Sequence, residues 1–314
     1  MARLTTLIAA AAMGVALAAP VSAAPLTTSE ILRQFNLVTF GDVTGTSHVD
    51  GRALIGGDLD SSWMVFNMHG APASAYAALT VGGDITGSGV HVNNGGDVVV
   101  GGAASTTVNR NGGGTLAQDQ GTAGIPDFAA TLKASSAALA EIAGVSPAIV
   151  NGNKAVFDTA PTDGLTVYSI DLSFFDLVNE IELALNGADT VVINVSGTSG
   201  TLQDNFLGDS FNAASNVIWN FYEATSLTFD RQFVGTVLAP YAAVTVTNNN
   251  IEGTLVADSA HIGGEIHQRP FAGTLPSADP TPPVAVPAPA ALPVFLAGLA
   301  GLGLTARRRR VAAA

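Results

Sequence analysis

Apolar residues along this chain come in short runs that end, again and again, at a glycine pair. Ala53-Leu54-Ile55 precedes Gly56-Gly57-Asp58, and Leu79-Thr80-Val81 precedes Gly82-Gly83-Asp84. Gly95-Gly96-Asp97 leads into Val98-Val99-Val100-Gly101-Gly102. β-branched and aliphatic runs favour strands, and Gly, Asn and Asp favour turns. Each unit has the form strand, glycine corner, strand. Gly235-Thr236-Val237-Leu238-Ala239-Pro240-Tyr241-Ala242-Ala243-Val244 aligns without a gap on Gly253-Thr254-Leu255-Val256-Ala257-Asp258-Ser259-Ala260-His261-Ile262, an offset of 18 residues. That offset suits one coil of a β-solenoid, in which each coil buries its inward side chains on its neighbours. Two sandwich strands sharing a Gly-Thr start are the alternative. The fold class expected is mainly β, a β-helix-like solenoid.

One stretch leaves this pattern. From Pro126 to Ala143, Phe128, Leu132, Leu139 and Ile142 fall at helical spacing with alanine between them. Pro126 and Asp127 suit a first turn and Gly144 suits the stop. This predicts one long companion α-helix along the solenoid. Phe174 to Leu185 is a shorter amphipathic stretch, compatible with a second helix or a strand pair. The strand Val191-Val192-Ile193-Asn194-Val195 follows and ends at Ser196-Gly197.

The two ends read differently. Arg3 and the apolar run Leu4 to Ala18 form a signal peptide (1–23), with Val21-Ser22-Ala23 before the cut and cleavage by signal peptidase placed after Ala23. Residues 24–276 form the passenger domain. A Pro-rich linker (277–285) then leads to a tail (286–314). The uncharged stretch Ala288 to Ala306 is close to the ~20 residues of a transmembrane helix. Arg307, Arg308, Arg309 and Arg310 hold its end on the cytoplasmic side by the positive-inside rule. Val286-Pro287-Ala288-Pro289-Ala290 resembles the VPLPA-type variant of PEP-CTERM sorting tails, with Ala288 in place of Leu. The resemblance implies an exosortase-type sorting protease as partner, and an exported domain held at the membrane before processing. A plain, unprocessed anchor is the alternative.

Charge and cysteine content narrow the rest. With the five arginines of the two ends set aside, 7 basic residues face 25 acidic ones, a net charge near −18. Such a surface excludes nucleic acid and anionic lipid as partners of the passenger. The chain has 0 cysteines, so disulfides, thiolate zinc sites and cysteine nucleophiles are excluded.

A second resemblance covers the passenger from about Ile31 to Phe271. Asn36-Leu37-Val38-Thr39-Phe40-Gly41-Asp42-Val43, Asp50-Gly51-Arg52-Ala53-Leu54-Ile55-Gly56-Gly57-Asp58, Val192-Ile193-Asn194-Val195-Ser196-Gly197 and the closing Gly235 to Pro240, Glu252 to Ala257 and Glu265-Ile266-His267 resemble, in order, the blocks of the choice-of-anchor A domain. The resemblance implies an adhesive or surface-structure domain shaped like the ice-binding β-solenoids, without catalytic residues.

Candidate chemistry is sparse. The five histidines, His48, His69, His91, His261 and His267, form no zinc motif, although His261 and His267, six apart, suit one side of a strand. Neither Thr86-Gly87-Ser88-Gly89 nor Ser196-Gly197-Thr198-Ser199-Gly200 has nucleophile-elbow spacing. Asp58, Asp84 and Asp97, at corners read as equivalent, are candidate calcium ligands; turn hydrogen bonding is the simpler role. Thr236 and Thr254 are repeat-equivalent, but Val244 then pairs with Ile262 and Thr245 with Gly263, too short a threonine ladder for ice binding. The expectation is an exported, non-catalytic adhesive or structural protein without a cofactor, binding extracellular polysaccharide or copies of itself. A polysaccharide-active enzyme and an ice-binding protein are the rivals.

Overall fold

The computed structural model describes residues 26–122, 125–159 and 164–275. The signal peptide, Ala23, the linker, the sorting motif Val286 to Ala290 and the Arg307 to Arg310 cluster lie outside the described residues. Among those described, no helix is long and apolar enough to cross a membrane.

The described chain is a β-solenoid of parallel strands, but its coils are not stacked in chain order. Leu37–Thr39 lies in the middle, with Leu37 opposite Ala53 on one side and opposite Leu255 on the other. One run of coils steps away from it through Ala53–Ile55, Leu79–Val81, Val98–Val100 and Leu116–Ala117. The second run begins at the opposite end with Leu165–Asp171. It steps inward through Thr190–Ser196, Val217–Asn220 and Thr236–Val246 to Leu255–Ile262. The two runs therefore meet at a seam between the first and last strands.

Helix α1 (Thr28–Gln34) and helix α2 (Ala129–Ala140) cover the sheet face that holds these strands. Inward-facing Leu37, Ile55, Leu255 and Val237 fill the solenoid interior. Outward-facing Val38, Leu54, Val256 and Leu238 are buried as well, under Ile31, Leu32, Phe35, Phe128 and Leu132 of the helical layer. Runs such as Ala53-Leu54-Ile55 are continuously apolar because both faces of these strands are buried.

The companion helix is shorter than the predicted 126–143. Phe128 is its N-cap residue, and Asp127 Oδ1 accepts a hydrogen bond from the Ala129 N–H just outside it. Its buried face includes two serines. Ser136 Oγ donates to Asn220 Oδ1, Asn220 Nδ2 donates to Ser136 O and Asn194 Oδ1, and Asn194 Nδ2 donates to Leu139 O. This closed polar ladder, buried at both asparagines, sets where the helix sits along the strands. The α1 helix starts at a capping box of Thr27 and Glu30, a signal present in the sequence.

The ambiguous stretch 174–185 divides between two elements. A 3₁₀ helix covers Leu172–Asp176, and the strand Glu180–Ala184 joins Ala148–Val150, Lys154–Asp158 and Asn205–Leu207 in a small second sheet. Behind that sheet Trp219 is fully buried among Phe157, Phe175, Phe206 and Phe233. Its Nε1–H donates to Val234 O at 2.8 Å.

The glycine corners follow from crowding between coils. A Cβ on Gly56, Gly82 or Gly101 would lie 2.3, 2.1 or 2.1 Å from the carbonyl oxygen of Phe40, Gly56 or Gly82, respectively. Only glycine lets the backbones of successive corners stack this closely.

The 18-residue repeat holds only in part. Val237, Leu238 and Ala239 pair with Leu255, Val256 and Ala257, but the register shifts between Ala239 and Ala243. Beyond the shift Val244 pairs with Ala260 and Thr245 with His261, not with Ile262 and Gly263. The bulge takes up extra residues on one strand only.

Candidate functional site

Among the described residues, neither α1 nor α2 covers a second face of the solenoid. Its strands are Val43–Gly45, the first halves of Leu59–Phe66 and Ile85–Val92, the second halves of Leu255–Ile262 and Thr236–Val246, and then Ser226–Phe229 and Ser199–Leu202. Alternation sends Val43, Leu59, Val244 and Leu227 into the core. It sends Thr201, Thr228, Thr245, His261, Thr44, Asp60 and Thr86 outward, each in register with the next. Neighbouring strands stand about 4.8 Å apart, so these side chains form a regular polar row. All of them are at least partly exposed. A second row, Ser199, Ser226, Ala243 and Ser259, runs beside the first. Apart from His261 and Asp60, both rows carry only Thr, Ser and Ala side chains.

Of the threonines named from the repeat, Thr245 lies on this face, but the repeat-equivalent pair Thr236 and Thr254 does not. Thr236 and Thr254 are buried on the covered side, where Thr254 Oγ1 donates to Phe35 O at 2.9 Å. The exposed ladder became visible only with the bulge, which brings Thr245 opposite His261.

The candidate calcium ligands separate. Asp42 Oδ1 accepts from the Asp58 N–H, Asp58 Oδ1 from the Asp84 N–H, and Asp84 Oδ1 from the Ala103 N–H, each at 2.8 Å. Asp58 and Asp84 thus belong to one column of corners, tying each coil to the next. Asp97 sits at a different corner, before its strand, where its Oδ1 accepts from the Thr115 hydroxyl and N–H. These bonds hold the Asp97 carboxyl below the usual range, the hydroxyl contributing most. The aspartates bind the backbone of the following coil rather than their own turn.

On the third face, His48–Val49, the second half of Leu59–Phe66 and Val108–Arg110 continue the first run, and Ile266–His267, Ile251–Glu252 and Phe233–Val234 the second. The runs meet where Val49 pairs with Ile266. A group of acids and histidines crosses that seam. His267 Nδ1 lies 2.6 Å from Glu252 Oε1, and its Nε2 lies 2.7 Å from Glu265 Oε2. His48 Nε2 is 3.4 Å from Glu265 Oε2 and 3.8 Å from Asp50 Oδ1. His69 Nε2 is 3.5 Å from the same Asp50 oxygen. Glu252 is buried, and Gln232 Nε2 and Arg269 Nε reach its two oxygens at 2.8 and 3.4 Å. Burial pulls the His267 pKa down, but the hydrogen bonds to Glu265 and Glu252 outweigh it and leave it above the usual value.

His261 does not join His267. It lies on the open face, with Nδ1 2.8 Å from Thr44 Oγ1. His91 lies beside exposed Trp63. The seam group was hidden in the sequence because its members come from both ends of the domain.

A cleft of about 440 Å³ lined by Glu182, Asp209, Asn186 and Asn212 brings two acids to one wall. Lys154 Nζ lies 2.6 Å from Glu182 Oε2 and engages that carboxylate.

A protein-family model described as "Putative Ice-binding-like adhesive domain" matches residues 28–268. No curated protein matches the chain. Among solved structures, the chain is similar to an ice-binding protein from the Antarctic ascomycete Antarctomyces psychrotrophicus, at 13% identity and TM-score 0.30, covering 79% of this chain and 99% of that one. It is similar as well to an ice-binding protein from an Antarctic biological consortium, at 15% identity and TM-score 0.31, covering 81% and 94%. An ice-binding protein from an Antarctic Flavobacteriaceae bacterium follows at 15% identity and TM-score 0.30, covering 77% and 81%.

Proposed function

Because the chain belongs to the family of ice-binding-like adhesive domains, we propose that it is an exported, non-catalytic adhesive protein whose open face makes the contact. The observation that carries this reading is the in-register row Thr201, Thr228, Thr245, His261, Thr44, Asp60 and Thr86. A rigid parallel sheet presents these groups at a spacing of about 4.8 Å without further ordering. A polymer with repeated hydroxyls, an extracellular polysaccharide above all, meets such a row through many weak polar contacts. Display of many copies at a surface multiplies them. Signal peptidase cleavage after Ala23 and exosortase-type processing at Val286 to Ala290 are the route we propose to that surface, with the 286–314 tail holding the chain in the membrane beforehand.

A glycan and matrix binding screen of the full-length chain tests the first part. The wild type is expected to bind, and a Thr228→Tyr/Thr245→Tyr variant to lose that binding while staying folded. Equal binding by both would move the contact off this face. Fractionation of cells with and without the sorting protease tests the tail; an unchanged mass that retains the arginines would overturn processing. Ice is the second surface to try, on the family's description, by thermal hysteresis with the same two proteins.

A further inference from the structure

We propose that the seam between the two runs of coils carries a zinc-type divalent metal site, with His48 Nε2, His267 Nε2 and Glu265 Oε2 as ligands and Asp50 Oδ1 completing the set. Among the described residues, the first three form a group whose ligand atoms all lie within 4.8 Å of one another. Two imidazoles and two carboxylates, without thiolate, suit zinc.

The geometry is close to what the ion requires. Tetrahedral ligation at 2.0–2.1 Å per bond places ligand atoms about 3.3 Å apart. His48 Nε2 and Glu265 Oε2 are already 3.4 Å apart. His267 Nε2 and Glu265 Oε2, at 2.7 Å, must separate by about 0.6 Å. Asp50 Oδ1, 3.8 Å from His48 Nε2, stands outside that group of three and must move in toward the ion to become the fourth ligand.

Two features outside the ligand atoms point the same way. Asp50 is 4% exposed, and its Oδ1 is buried without a hydrogen-bond partner, facing His48 and His69. Its other oxygen accepts from the Gln268 N–H at 3.1 Å, which aims the free one. An unsatisfied buried carboxylate oxygen is costly, and a cation supplies the missing partner. Second, His267 Nδ1 is held by Glu252, itself fixed by Gln232 and Arg269. That carboxylate–histidine relay leaves Nε2 for the metal. Zinc would take the place of the present His267 Nε2–Glu265 Oε2 contact. Because His48 and Asp50 come from the first run and Glu265 and His267 from the second, the ion would clip the two ends of the solenoid together.

The test is titration of the purified full-length chain with ZnCl₂ by calorimetry, with Tm followed in parallel. One ion per chain is expected, with Tm rising by roughly 5 °C or more at a hundredfold excess over Kd. Calcium at the same concentration should leave Tm unmoved. His267→Ala and Glu265→Gln should abolish binding, and Glu252→Gln should weaken it at least about tenfold. His91→Ala and His261→Ala should bind as the wild type does. Should the seam variants fail to fold, the wild type loaded with Co²⁺ should show the visible bands of a tetrahedral histidine–carboxylate site. No saturable zinc binding, binding undiminished in a folded Glu265→Gln chain, or an octahedral cobalt spectrum would overturn the site.

Discussion

Thr44 Oγ1 lies 2.8 Å from His261 Nδ1, and this contact bridges the first and last coils in the middle of the open face. The strand of Thr44 pairs with Leu255–Ile262 on one side and Leu59–Phe66 on the other. The polar row therefore runs unbroken across a junction between residues from opposite ends of the domain. A function that uses the row depends on the seam staying closed.

The row can be blocked without unfolding the protein. Thr228 and Thr245 are half-buried, with their hydroxyls on the solvent side of the sheet. Tyrosine at both positions keeps β-propensity and raises two bulky rings above the row of short threonine side chains. Stability by urea denaturation should change by no more than about 0.5 kcal/mol per site. Affinity for the ligand found in the screen should fall at least tenfold.

Asp204 makes stability depend on pH. Burial pushes its carboxyl up to about 7, its own backbone works against this, and Asp176 adds to the rise. Neither Asp204 oxygen has a hydrogen-bond partner. In the unfolded chain the group ionises near pH 3.9. Below that value both states are protonated and the group has no effect. Between pH 4 and 7 the unfolded state ionises first, so stability falls as pH rises, levelling off above about 7. Asp204→Asn removes this slope. The stability of the wild type relative to the variant should drop by on the order of 2–4 kcal/mol from pH 4.5 to pH 8. A constant difference across that range would refute the assignment.

Arg52 is a buried cation satisfied by carbonyl oxygens. Its Nε donates to Tyr76 O and Ala77 O, Nη1 to Gln34 O and Nη2 to Pro72 O. It fastens the end of α1 to the 72–77 loop. Arg52→Ala strands those carbonyls and should destabilise the domain by about 3 kcal/mol. Arg52→Lys, lacking the planar fork, should recover less than half of that. Chemical denaturation of both variants decides it.

Gly82 tests the stacked corners. A methyl there would lie 2.1 Å from Gly56 O, and backbone cannot swing aside as a side chain can. Gly82→Ala should cost about 2 kcal/mol or more. Gly113, with nothing within 4 Å of its would-be Cβ but a φ of +98°, separates crowding from dihedral strain. Gly113→Ala should cost only about 1 kcal/mol.

The amino-acid sequence by itself determined the local alphabet: short strands, glycine corners, the companion helix and the offset of one coil, Val237 to Leu255. Those features follow from propensity, side-chain size and alternation, which act between near neighbours. The apolar face of α2 was legible for the same reason, as Phe128, Leu132 and Leu139 are indeed buried. The order of the coils was decided only in three dimensions, because pairing Leu37 with Leu255 depends on which strand edges remain free after both runs have formed. The same pairing assembled the open face and the seam. Thr44 meets His261, and His48 meets Glu265, through contacts between distant segments that no spacing encodes. The bulge after Ala239 then shifted the register, so the ladder that matters runs through Thr245 rather than through Thr236 and Thr254, which packing under the helical layer removed from the surface.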